Sequence, residues 1–147
     1  MTKVRLSVNL NKVALIRNAR GGNLPDLIQV AIDCQSFGAE GITVHPRPDQ
    51  RHIRYDDVLK LRRVTHTEFN IEGNPDSHFL EMVLAVKTDQ CTLVPDAAHQ
   101  LTSDHGWDTL KHADRLRELC DALRSRGIRS SVFVDPDPAM IEGACAA

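Results

Sequence analysis

Short β-branched runs alternate with stretches of helical periodicity along this chain, in the same order five times, and that alternation constrains the fold more than any other feature. Val4, Leu6 and Val8 alternate with polar residues, which predicts a strand over about residues 4–9. Ile42 to Val44, residues 67–72, Cys91 to Pro95 and Ile128 to Val134 predict four more. Between them lie helical patterns. Leu27, Ile28, Ala31, Ile32 and Cys34 follow a cap at Asn23 and a proline at 25, and Gly38 closes that helix. Asp56 or Asp57 caps a helix carrying Val58, Leu61 and Val64, and the turn Asn74-Pro75-Asp76 precedes Phe79, Leu80, Met82, Val83 and Val86. A fourth helix spans about residues 109–126 with Leu110, Leu116, Leu119, Cys120 and Leu123 inward, stopped by Gly127. A fifth starts at Asp135-Pro136-Asp137-Pro138. The polar stretch between the first strand and Gly21-Gly22 reads as a loop.

Parallel strands need long crossovers, so this order implies a single α/β domain over residues 1–147 with a parallel sheet. Two architectures compete. Five strands in 147 residues suit a flavodoxin-like doubly wound sheet, whereas a (β/α)8 barrel of typically about 250 residues would be little more than half present. Strand order separates them: 1-2-3-4-5 supports the barrel and 2-1-3-4-5 the doubly wound sheet. There is no G-x-G-x-x-G and no Walker loop.

Composition narrows the partners. Eighteen basic against twenty acidic residues leave a net charge of -2 with no basic patch, which argues against nucleic acid. The longest apolar runs fall far short of a membrane span, and Met1 leads into a strand pattern instead of a signal peptide, so a cytoplasmic location is expected. Cys34, Cys91, Cys120 and Cys145 are widely spaced in apolar settings, which predicts four buried thiols and neither a disulfide framework nor a metal site.

The densest chemistry lies in Gly41-Ile42-Thr43-Val44-His45-Pro46-Arg47-Pro48-Asp49-Gln50-Arg51-His52-Ile53. A buried strand ends abruptly in a loop with two histidines and two arginines, and strand carboxyl ends open onto the ligand crevice in α/β folds. Pro46 and Pro48 stiffen the exit. Glu72 follows the next strand in the same way, so His45 and Glu72 form a candidate pair for successive proton transfers. Against that stands the ordinary reading, a structural histidine and a surface-paired glutamate. Arg47 and His52 read equally well as phosphate ligands or as a charged loop. Asn9 and Arg20, beside Gly21-Gly22, read individually as a turn residue and a solvated arginine, and together as an anion site. The connection from Asp96 to Asp108 exceeds the usual βα length and reads as a lid or binding loop; it carries Thr102, Ser103, Asp104 and His105. His66, His78, His99 and His112 are assigned no role.

Taken in order, Asn9 to Asn11, Arg17-Asn18-Ala19-Arg20-Gly21, Gly41 to Arg47, Arg51-His52-Ile53, Asn70-Ile71-Glu72, Leu93-Val94-Pro95 and Thr102 resemble the pyridoxine 5′-phosphate synthase family from end to end of the chain. The resemblance implies a TIM barrel and a transferase of vitamin B6 (pyridoxine) biosynthesis. Such an enzyme condenses 3-amino-2-oxopropyl phosphate with 1-deoxy-D-xylulose 5-phosphate to pyridoxine 5′-phosphate, phosphate and water. By the same resemblance Asn9 and Arg20 bind the amino-ketone phosphate, Arg47, His52 and Thr102 hold the deoxyxylulose phosphate, and His45 and Glu72 accept protons. That chemistry needs two phosphates held in place and repeated proton shuttling, with no metal or redox cofactor. The family is a homo-oligomer, an octamer.

Two departures accompany the resemblance. Asn11-Lys12 stand where the best-known members carry Asp-His, a pair contacting the deoxyxylulose phosphate; Lys12 retains a positive charge but not an imidazole's proton transfer. The family barrel also continues for three more strands, with a later histidine as proton donor. The expectation is therefore a partial barrel of about five βα units, with two open edges and an exposed inner face of Val, Ile and Leu, having little activity alone. The reading from a different class is a non-catalytic phosphate-ligand binding module with a flavodoxin-like five-stranded sheet.

Overall fold

A computed structural model describes residues 4–19, 21–97 and 100–147. Its elements run β1 (Ser7–Asn9), α1 (Asn11–Ala19), α2 (Leu27–Ser36), β2 (Gly41–Val44), α3 (Tyr55–Val64), β3 (Glu68–Gly73), α4 (Ser77–Val86), β4 (Gln90–Leu93), α5 (Ala113–Arg124), β5 (Arg129–Val132) and α6 (Pro138–Ala146). The five strands form one sheet in the order β1-β2-β3-β4-β5. This is the sequential order that a barrel requires, and it differs from the 2-1-3-4-5 of a flavodoxin-like sheet. The chain divides into two compact units, Met1–Ile71 and Glu72–Ala147.

In the first unit β1 pairs in parallel with β2, Val8 opposite Ile42, and β2 with β3, Ile42 opposite Phe69 and Val44 opposite Ile71. Side chains alternate across a strand, so Ile42, Val44, Phe69 and Ile71 share one face, and all four are fully buried. The opposite face is polar. Ser7 Oγ lies 2.7 Å from Thr43 Oγ1, and Asn70 Nδ2 donates to the same hydroxyl at 3.3 Å. These three polar side chains thus share hydrogen bonds on the face opposite Ile42, Val44, Phe69 and Ile71.

The strand after residue 4 is shorter than its alternation suggested, and the polar stretch read as a loop is the helix α1. Its buried positions are Ala14 and Arg17, while Ile16 on the same helix is exposed. Capping also differs from expectation. Asp26, not Asn23, caps α2 by accepting from the Ile28 N–H at 2.9 Å and the Gln29 N–H at 3.2 Å. In α3 the N-cap is Arg54, whose N–H is accepted by Asp57 Oδ2 at 2.8 Å.

Gln35 shows how a buried polar group can hold two elements together. On α2 the buried stripe is Leu27, Ala31 and Gln35, with Ile32 exposed and Cys34 half-buried. Gln35 Nε2 donates to the carbonyls of Ala31 and Val64 at 3.0 and 3.1 Å, and Oε1 accepts from the His66 N–H at 2.9 Å and the Thr67 N–H at 3.2 Å. The segment that leads from α3 into β3 therefore depends on one amide. Gln35→Leu keeps the volume but strands these backbone groups, and is expected to cost about 2–3 kcal/mol in urea unfolding; a loss below about 0.5 kcal/mol would mean that water replaces the amide.

In the second unit β4 pairs in parallel with β5, Cys91 opposite Ser130 and Leu93 opposite Val132. Asp76 caps α4 by accepting from the Phe79 N–H at 2.8 Å, and Phe79, Val83 and Val86 form its buried stripe. On α5 the buried residues are Leu116, Cys120 and Leu123. Leu110, expected inward, lies before the helix begins and is 62% exposed. Asp137 caps α6 through the Ala139 N–H at 2.8 Å.

All four cysteines are free, but only Cys91 and Cys120 are buried; Cys34 is half-buried and Cys145 exposed, correcting the expected set of four buried thiols. Burial, with a smaller effect of Cys120, pushes the Cys91 thiol up to about 12, which leaves it unreactive at neutral pH. No helix among the described residues is long and apolar enough to cross a membrane.

Candidate functional site

The exits of β1 and β2 bring six of the singled-out residues together. Leu10 N–H continues the ladder by donating to the Thr43 carbonyl at 3.0 Å, after which the chain turns directly into α1. The turn is made by two asparagines. Asn9 Oδ1 accepts from the Asn11 N–H at 2.9 Å, and Asn11 Oδ1 accepts from the His45 N–H at 2.8 Å. Asn11 therefore ties the first helix to the residue that leaves β2, a positioning task which an aspartate could perform equally. Among the described residues its amide NH2 donates to no protein group, so two donors remain for a ligand. Lys12 follows it and is exposed.

His45 and Arg47 are 6% and 5% exposed, a degree of burial that sequence alone did not indicate. The loop turns at once: Arg47 N–H donates to the His45 carbonyl at 3.0 Å, and Gln50 N–H to the Arg47 carbonyl at 2.9 Å. Arg51 pairs with Asp49, Nε to Oδ2 at 2.6 Å. His52 sits half-buried with its ring centroid 6.2 Å from that of His45. Its Nδ1 accepts from the Ile53 N–H at 3.0 Å, so the neutral ring carries its proton on Nε2.

Burial, and then the positive charges of Arg47, Arg51 and Lys12, hold the His52 imidazole below its ordinary value, with Asp49 opposing. The consequence has a definite sign. A histidine kept neutral by the fold binds fewer protons folded than unfolded, so its contribution to stability is present above about pH 6.5 and is lost as the pH falls through the lowered folded value. Thermal unfolding should therefore show a loss as the pH falls below about 6.5 that shrinks in His52→Gln; an identical pH profile in that variant would contradict the assignment.

The remaining candidates lie elsewhere. Arg20 is outside the described residues. Glu72 and Thr102 belong to the second unit. Glu72 follows the paired residue Ile71 directly and is half-buried. The residue after it admits no side chain: a Cβ on Gly73 would meet the Phe79 ring at 2.4 Å. Asn74 Nδ2 donates to the Asp96 carbonyl at 2.7 Å, and Val94 N–H to the Gly73 carbonyl at 2.9 Å. Thr102 is exposed, its carbonyl accepting from Gln100 Nε2 at 2.8 Å, and Gln100 also reaches Asp104 Oδ1 at 2.6 Å. The far half of this loop is not free. Trp107 is buried, donating through its backbone N–H to the Phe133 carbonyl at 2.8 Å and through Nε1 to the Leu93 carbonyl at 3.1 Å.

Arg17 and Asn18 escaped sequence reading, as did the ion-pair role of Asp57, which was read only as a helix cap. Arg17 is 2% exposed and forms a two-pronged pair with Asp57, Nη1 to Oδ1 at 2.8 Å and Nη2 to Oδ2 at 2.7 Å. Asn18 Nδ2 donates to the carbonyls of Arg51 and His52 at 3.0 and 2.8 Å. Arg17 was visible only as one member of the Arg17-Asn18-Ala19-Arg20 run, where nothing distinguishes a buried arginine from a solvated one.

The family model described as pyridoxal phosphate biosynthesis protein PdxJ matches residues 6–147. The chain belongs to the PdxJ family. It is 60% identical over 143 residues to a protein of Cytophaga hutchinsonii named pyridoxine 5′-phosphate synthase, covering 97% of this chain and 60% of that one. A protein of the same name from Bacteroides fragilis is 60% identical over 147 residues, covering 100% of this chain and 61% of the relative. The Christiangramia forsetii protein of that name is 59% identical over 144 residues, 98% of this chain and 60% of its own length. This PdxJ-family chain thus spans about three-fifths of the length of these curated relatives.

Proposed function

We propose that the chain supplies the first five βα units of a TIM-barrel pyridoxine 5′-phosphate synthase. This transferase of vitamin B6 biosynthesis joins 3-amino-2-oxopropyl phosphate to 1-deoxy-D-xylulose 5-phosphate, releasing pyridoxine 5′-phosphate, phosphate and water. In this reading it works in the cytoplasm as a homo-oligomer on small phosphorylated substrates, with neither nucleic acid nor membrane as partner. The observation that carries the reading is the set of donors at the exits of β1 and β2: the buried guanidinium of Arg47, the Nε2–H of neutral His52 and the spare amide of Asn11, in a chain whose relatives bear that name. A guanidinium fork and an imidazole N–H suit a phosphate.

The roles divide by chemistry. Arg47 and His52, with Thr102 of the second unit, hold the deoxyxylulose phosphate; Asn9 and Arg20 take the amino-ketone phosphate; Asn11 and Lys12 stand beside them. His45, fixed at its backbone by Asn11, and Glu72 accept the protons released as the amine adds to a ketone, water leaves and the ring becomes aromatic.

The test is product formation from the two phosphorylated substrates, measured for the 147-residue chain and for a chain of the relatives' length. The longer chain is expected to make pyridoxine 5′-phosphate and the 147 residues alone to make little. Failure of the longer chain would refute the synthase reading, and full turnover by 147 residues would refute the dependence on further strands.

A further inference from the structure

We propose that Arg17, Asn18 and Asp57 form a positioning device for His52, which grips the Arg51–His52 backbone so that Nδ1 is held on the Ile53 N–H and Nε2–H is kept as a donor for an anionic, phosphate-type group. All of its parts lie in the first unit. Two helices supply them, Arg17 and Asn18 from α1 and Asp57 from α3, and they converge on one short loop.

The grip is made of charged and amide donors on carbonyl oxygens. Arg17 Nη2 donates to the His52 carbonyl at 3.2 Å, and Asn18 Nδ2 donates to the same oxygen at 2.8 Å and to the Arg51 carbonyl at 3.0 Å. Two successive carbonyls held from one side fix the peptide plane between them, and with it the direction in which the His52 side chain leaves the chain. Arg17 is itself held, its other contacts being Asp57 and, from Nε, Asn18 Oδ1 at 3.1 Å. Asp57 also accepts from the Arg54 N–H at 2.8 Å, so both ends of the 52–54 segment refer to one carboxylate. That leaves Ile53 N–H directed at His52 Nδ1 at 3.0 Å. With Nδ1 occupied as an acceptor, the neutral ring has only one place for its proton. Among the described residues no protein group accepts from Nε2.

None of the three residues has to touch a ligand for this, and the geometry explains why an arginine is buried at all. A buried pair contributes little to stability relative to apolar side chains of the same volume, but it fixes orientation. The inference deepens the reading of His52 as a phosphate ligand and rests on it only for the identity of the acceptor.

The experiment follows the His52 ring by 15N NMR in the 147-residue chain, and separately titrates inorganic phosphate. The wild type is expected to show a single neutral tautomer, protonated at Nε2. Asn18→Asp, an isostere that turns two donors into acceptors facing carbonyls, should give a mixture of tautomers and about a three- to tenfold loss of phosphate affinity, the scale of one ordinary hydrogen bond, because the Nε2–H tautomer is depleted and not abolished. Arg17→Lys keeps the charge beside Asp57 but loses the fork, and should shift the tautomer ratio in the same direction; it carries the test if circular dichroism shows Asn18→Asp to be unfolded. A folded variant with an unchanged single tautomer would overturn the device. Mixed tautomers in the variants with no phosphate binding by any form would uphold the device and remove the ligand role of His52.

Discussion

Asp57→Ala is expected to destabilise the chain by about 3–5 kcal/mol, the usual cost of leaving one member of a buried ion pair behind. The reason is Arg17, 2% exposed with its fork aimed at the missing carboxylate. A guanidinium does not give up its proton in a protein, so Arg17 must stay charged without a counterion, draw water in, or pull α1 out of its place. The paired replacement behaves differently. Arg17→Met combined with Asp57→Leu removes both charges while filling the volume, and should recover all but about 1 kcal/mol, the remainder being the helix start that loses its Arg54 N–H acceptor. Urea midpoints of the two variants against wild type decide the matter. If the single and double variants lose the same amount, the pair matters through packing and not through its charges.

Much of the architecture could be read before any coordinates, because a strand buried on both faces needs unbroken apolar or small residues. Ile42 to Val44 and Cys91 to Leu93 satisfy that need and lie where expected. Helix α1 was hidden for the opposite reason. Its buried stripe is an alanine and an arginine, while Ile16 faces out, so its periodicity points the wrong way. Gln35 was hidden likewise, since a buried amide is indistinguishable in sequence from a surface one until its carbonyl and N–H partners are known. At the site, the position of His45 and Arg47 after a strand was legible; their burial, and the orientation of His52 by groups 34 and 40 residues away in sequence from their partners, was not.

In a chain of the relatives' length, His45→Gln and Glu72→Gln should each lower kcat for pyridoxine 5′-phosphate formation by about 10²- to 10⁴-fold, the range that a positioned acid or base contributes. Glutamine preserves hydrogen bonding in both cases but cannot take a proton, so a pure binding role would survive the change and a proton-transfer role would not. The ratio of effects matters as much as their size. If His45 moves protons, KM for either substrate should change only a few-fold, because its backbone N–H remains on Asn11 Oδ1 and the exit of β2 keeps its shape. Arg47→Gln should behave in reverse, raising KM for the deoxyxylulose phosphate more than it lowers kcat, since a guanidinium that grips a phosphate in both ground and transition states contributes mainly uniform binding. A kcat within threefold of wild type for either carboxamide variant would exclude that residue as a base and transfer the role to another group at the strand ends.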